Sequence, residues 1–125
     1  MKVVAAVVGY ERDLLHPFAI GTSHGSARDL LRMLKDEYEF HANEIANEEG
    51  FLVSTGDEFI FVDRNHAMEI AKEANQLKSG YSADLRLMSY MLVSFPREEY
   101  QKGLELSEKI CKEFSGKWVS GEQIR

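Results

Sequence analysis

The stretch VVAAVVGY, residues 3–10, constrains the fold most, because it is almost continuously apolar and rich in Val. β-Branched composition without polar alternation reads as a strand buried on both faces. The run is far shorter than the roughly 18–20 apolar residues that span a bilayer. It follows a single Lys and lacks a cleavage-type region, which speaks against a signal peptide. The chain of 125 residues fits one domain, 1–125, with a single core.

The elements that would cover such a strand are legible in turn. FAI, residues 18–20, reads as a short partner strand after the turn ERDLLHP. Ala27, Leu30, Leu31 and Leu34 form one apolar helical stripe, with Arg28, Arg32 and Lys35 on another face. Residues 38–50 read as loop with some helix. FLVS (51–54) and EFIFV (58–62) flank the turn TGD and give a hairpin signal. Asp63 reads as the N-cap of a second helix with the stripe Ala67, Ile70, Ala71, Ala74 and Leu77. Residues 83–93 fit helix and strand nearly equally, and their Leu, Met and Arg tip the reading to helix. Pro96 opens a last helix with Tyr100, Leu104, Ser107, Cys111 and Phe114 on its stripe. The sum is an α+β fold, a small antiparallel sheet of about four strands packed with three or four helices. Residues 86–125 form its C-terminal helical part.

Charge narrows the function. The net charge is −6, and residues 36–58 hold eight acids without a Lys or Arg. An acidic surface repels the nucleic-acid backbone and anionic lipid, so duplex nucleic acid and membranes are not expected partners. A small anion held by a few local bases remains compatible. Cys111 is the single cysteine, which excludes an internal disulfide and suits a reducing, cytoplasmic setting. On its apolar stripe it reads as a small buried hydrophobe. The four His are scattered, so no metal site and no cofactor is expected.

The chemistry-bearing stretch is GTSHGSARDL, residues 21–30. A helix N-terminus presents unpaired N–H groups and a positive dipole end, both suited to an anion. His24, Ser26 and Arg28 would add side-chain donors there. The plainer reading is a Ser N-cap with Gly for flexibility. His24 and Ser26 form an H-x-S unit, but no second unit exists for a two-histidine phosphodiesterase. Phe59 and Phe61 alternate onto one hairpin face, first of all as core. Phe61 beside Arg64 and Asn65 would alternatively suit a base and ribose.

Residues 48–78, EEGFLVSTGDEFIFVDRNHAMEIAKEANQLK, also carry a resemblance. Gly50, Phe51, Ser54, Gly56, Phe61, Val62, Asp63, Arg64, Ala67, Ile70, Ala71 and Gln76 are similar to the pattern of phage anti-Thoeris sponge proteins. VVAAVVGY and the helix opening around His24 would correspond to that family's preceding strand and helix. Ser23 stands where a basic or His residue is usual, and Asn75 where Gly is usual. The resemblance implies homo-oligomers that sequester cyclic ADP-ribose-type signals without cleavage, in pockets between subunits.

The expected function is therefore non-catalytic sequestration of a cyclic nucleotide-type or ADP-ribose-type signal, blocking host antiphage immunity in the host cytoplasm. The expected ligand contacts are His24, Ser26 and Arg28 for phosphate, with Phe61, Arg64 and Asn65 for base and ribose. Two alternatives stand beside it. One is a phosphodiesterase-like enzyme with His24 as base; the other is an interaction module that uses the acidic 36–58 segment.

Overall fold

In the computed structural model, which describes residues 1–40 and 48–117, the apolar run is the second strand of a four-stranded antiparallel sheet. The strands are β1 (Lys2–Gly9), β2 (Phe18–Gly21), β3 (Glu48–Ser54) and β4 (Phe59–Val62), in the order β2-β1-β3-β4. β1 is buried along Val3–Val8, as its composition requires. A register shift between Val3 and Ala5 marks a bulge against β3.

Among the described residues three α-helices cover the two faces: α1 (His24–Tyr38), α2 (Arg64–Glu73) and α3 (Arg97–Glu113). Ala6, Phe51 and Val53 meet Ala67, Met68 and Ala71 of α2, while Val8 meets Ala27, Leu31 and Leu34 of α1. On the opposite face Val7, Phe18, Ile20 and Leu52 pack against Leu104 and Ile110 of α3. Each fully buried Val, Leu or Phe side chain contributes about 1.5–3 kcal/mol. Gly103 lets α3 approach closely, since a Cβ there would lie 2.7 Å from Leu52 Cδ2.

Local chemistry sets the helix ends. Ser23 caps α1 through a capping box with Ser26, each side chain meeting the other's backbone N–H. Asp63 caps α2 by accepting from the His66 N–H at 2.8 Å. α2 stops at Glu73, and Asn75 turns into the left-handed region at φ 57°. A residue usually Gly is therefore replaced by the other type that tolerates this conformation. Ala74 and Leu77 lie past the helix end, and Met68 takes a buried place that the stripe did not include.

Two expectations need correction. β3 begins at Glu48, three residues before the FLVS run; residues 41–47 of the ambiguous 38–50 stretch lie outside the described residues. Residues 83–93 are not a helix but turns with one 3-10 turn at Ser89–Met91. Their backbone groups find distant partners instead: Leu87 N–H donates to Arg64 O, Val93 N–H to Gln76 O, and Leu92 bridges to Leu77. Leu87, Met91 and Leu92 are buried while Leu85 is 75% exposed, a pattern no single helical face produces.

Candidate functional site

β3 and the starts of α1 and α2 converge where the first residues of β3 pass beneath both helices. Alternation along β3 sends Glu49 to the same face as Phe51 and Val53. There it meets two guanidinium groups. Arg64, the first residue of α2, donates from Nη2 to Glu49 Oε1 at 2.8 Å. Arg28, one turn into α1, donates from Nη2 to Glu49 Oε2. The Arg28 hydrogen bond, with that of Arg64, holds the Glu49 carboxyl below the usual carboxylate range against the opposing effect of burial.

His24 completes the cluster. Its ring lies edge-on to Phe51, centroids 4.9 Å apart, and the residue is 9% exposed. Arg64 Nη2 approaches Nδ1 at 3.3 Å, and Nε2 lies 2.7 Å from Gly50 O. A guanidinium only donates and a carbonyl only accepts, so the ring is neutral with its hydrogen on Nε2. Burial, with the charge of Arg64, pushes the His24 pKa down. Both ring nitrogens are thus engaged. Arg64 also reaches Leu87 O at 3.1 Å and Met88 Sδ at 3.0 Å, which ties the 83–93 turns to the cluster.

The predicted site residues divide accordingly. His24, Arg28 and Arg64 come together. Ser26 is exposed at the start of α1, its hydroxyl in the cap with Ser23, and Asn65 is exposed on the first turn of α2. Phe61 does not join them: it belongs to the opposite face with Leu52 and Leu104. Its ring comes so close to Gly50 that a Cβ there would lie 2.8 Å from Phe61 Cε1. Phe61 also lines an open groove of about 350 Å³ with Arg12, Val62, Asp63 and His66.

Sequence reasoning missed Glu49, the acid around which the cluster is built. It also missed a groove of about 430 Å³ lined by Thr22, Ser89, Leu92, Phe95, Arg97 and Tyr100 among others. Its lining includes Thr22, two positions ahead of His24 in the chain, and Ser89, the chain neighbour of the Met88 that touches Arg64. Phe95 and Tyr100 stand with ring centroids 6.2 Å apart and tilted by 35°. The acidic 36–58 segment is not one free surface, because Glu48 pairs with Arg12 and Glu49 with Arg28 and Arg64. Among the described residues no group of three or more His, Cys, Asp or Glu could hold a metal ion, and no helix is long and apolar enough to cross a membrane.

Neither the curated proteins nor the solved structures contain a match to this chain. Residues 2–92, more than half of the chain and all of the sheet and the Arg28–Glu49–Arg64 cluster, match the family model described as Phage T4 y16D protein, and the chain belongs to that phage protein family.

Proposed function

We propose that this phage protein sequesters a small anionic, nucleotide-type signal without chemical conversion, and that Arg28 and Arg64 hold its phosphate in the position now taken by the Glu49 carboxylate. The observation that carries the reading is the convergence of two guanidinium groups from two helices on one carboxylate that is 34% exposed. Guanidinium forks match phosphate as well as carboxylate, and a phosphate brings more acceptor oxygens. The groove that carries Phe95 and Tyr100 is of the size that small-ligand sites occupy and offers aromatic surface for a base. The resemblance to sponge proteins points to cyclic ADP-ribose isomers as the first ligands to try.

The enzyme alternative is weaker in this geometry. A general base needs a free lone pair, and the Nδ1 lone pair of His24 faces Arg64. The test is calorimetric titration with cyclic ADP-ribose isomers and cyclic oligonucleotides, followed by heat denaturation and mass analysis of the released ligand. Sequestration predicts micromolar or tighter binding and recovery of the intact molecule. Absence of binding to every member of the panel sinks the proposal; a converted product favours the enzyme.

A further inference from the structure

The open groove at the end of β4, lined by Arg12, Phe61, Val62, Asp63 and His66, shares no residue with the Arg28–Glu49–Arg64 cluster. Arg12 is paired there, but through one nitrogen. It donates from Nε to Glu48 Oε1 at 2.6 Å, and its Nη1 and Nη2 make no hydrogen bond among the described residues. The pair with Glu48 steadies the guanidinium and leaves its outer edge as a two-pronged donor.

Asp63 is engaged on one side in the same way. Its Oδ1 accepts the His66 backbone N–H at 2.8 Å and lies 3.0 Å from His66 Nδ1. A carboxylate has about four acceptor positions, so Oδ2 keeps room for a further N–H. The His66 backbone hydrogen bond holds the Asp63 carboxyl below its usual range, which keeps it charged at neutral pH. Asp63 also lies near enough to Arg12 for its charge to act on the guanidinium. Phe61 supplies a flat surface. It is half-buried, and its ring is confined by Gly50, where a Cβ would lie 2.8 Å from Cε1. A ring held in this way stacks on a ligand with little further loss of freedom.

These groups set the ligand's chemistry. The carboxylate disfavours an anion in the groove. It suits a neutral planar ring that offers N–H donors to Asp63 and two neighbouring acceptors to Arg12. Guanine has both, with N1–H and N2–H on one edge and O6 and N7 on the next. Adenine carries an amino group where guanine has O6, so one prong of the fork meets a donor. Cytosine is one ring smaller and covers less of Phe61. We propose that this groove recognises a guanine base, with Asp63 accepting from N1–H and N2–H, Arg12 donating to O6 and N7, and Phe61 stacked against the ring. The site goes beyond the phosphate position at Arg28 and Arg64 and does not depend on it.

Calorimetric titration of the full chain with guanosine, adenosine and cytidine tests this. Nucleosides carry no phosphate, so the outcome is separate from that of the sequestration reading. Guanosine is expected to bind with a Kd on the order of 100 µM. Adenosine and cytidine are expected to bind at least about tenfold more weakly. Asp63→Asn keeps an oxygen that caps α2 but loses the charge. Arg12→Gln, at an exposed position, loses the fork. Each is expected to weaken guanosine binding about tenfold. The melting temperature of Asp63→Asn is expected to stay within about 3 °C of wild type, because Asn caps as well as Asp. No guanosine binding up to about 1 mM overturns the proposal. So does adenosine or cytidine binding as tightly as guanosine, or an Asp63→Asn variant that binds guanosine as the wild type does.

Discussion

Replacing Arg64 with Ala is the most informative perturbation of the cluster, because one side chain serves four partners. Its side chain is 13% exposed and meets Glu49, Leu87 O, Met88 Sδ and His24 Nδ1. Hydrogen bonds to charged groups contribute about 1.5–3 kcal/mol each in mutational series. Breaking a fully buried pair costs about 3–5 kcal/mol. Here Glu49 keeps Arg28 and is one-third exposed, so solvent compensates part of the loss. The expected destabilisation is about 2–3 kcal/mol. At roughly 3–4 °C per kcal/mol for a domain of this size, the melting temperature falls by about 6–12 °C. Urea unfolding followed by circular dichroism measures the first figure, and thermal unfolding the second. Arg64→Lys keeps the charge but loses the planar fork, and is expected to recover less than half of the loss. A loss below about 1 kcal/mol for Arg64→Ala, or full recovery by Lys, would refute the claim that Arg64 organises this end of the sheet.

Other predictions follow from neighbouring contacts. The pKa of His24 is depressed in the fold, so its stabilising contribution is complete above the usual value near 6.5 and is lost as pH falls below it; Glu49, also depressed, adds a second loss below its usual range near 4.5. Urea midpoints between pH 7 and 5 are expected to drop in the wild type and to flatten in His24→Gln. Gly50→Ala places a methyl against the Val62 carbonyl and 2.8 Å from Phe61 Cε1, a clash with backbone that should destabilise by about 2–3 kcal/mol in the same assay. Ser107→Ala leaves the buried Phe18 carbonyl with only the weak Cys111 thiol and should cost about 1–2 kcal/mol.

Where local chemistry decides, the fold was readable from the sequence. Ser23 and Asp63 announce their helices because a cap needs only the residues three positions on. The turn around Gly56, at φ 106°, fixes the hairpin, and the Val run fixes the central strand. Residues 83–93 escape a local reading because their backbone bonds go to Arg64, Gln76 and Leu77, partners no local propensity encodes. The site was half legible for a similar reason. Phe61 and Arg64 are three residues apart, yet a strand residue and a helix start can face opposite sides of the sheet. Glu49 lies 21 positions from Arg28 and 15 from Arg64, so its neutralising contacts are tertiary. An acidic run that looks like one surface is in part turned onto arginines.

The proposed function puts a ligand phosphate where the Glu49 carboxylate lies. Calorimetric titration of wild type and Glu49→Gln with the same cyclic ADP-ribose isomers addresses it directly. The amide keeps one acceptor oxygen but no charge, so both guanidinium groups are held less tightly and the variant is expected to bind about tenfold more tightly, or about 1.4 kcal/mol. Equal or weaker binding by Glu49→Gln would contradict the claim.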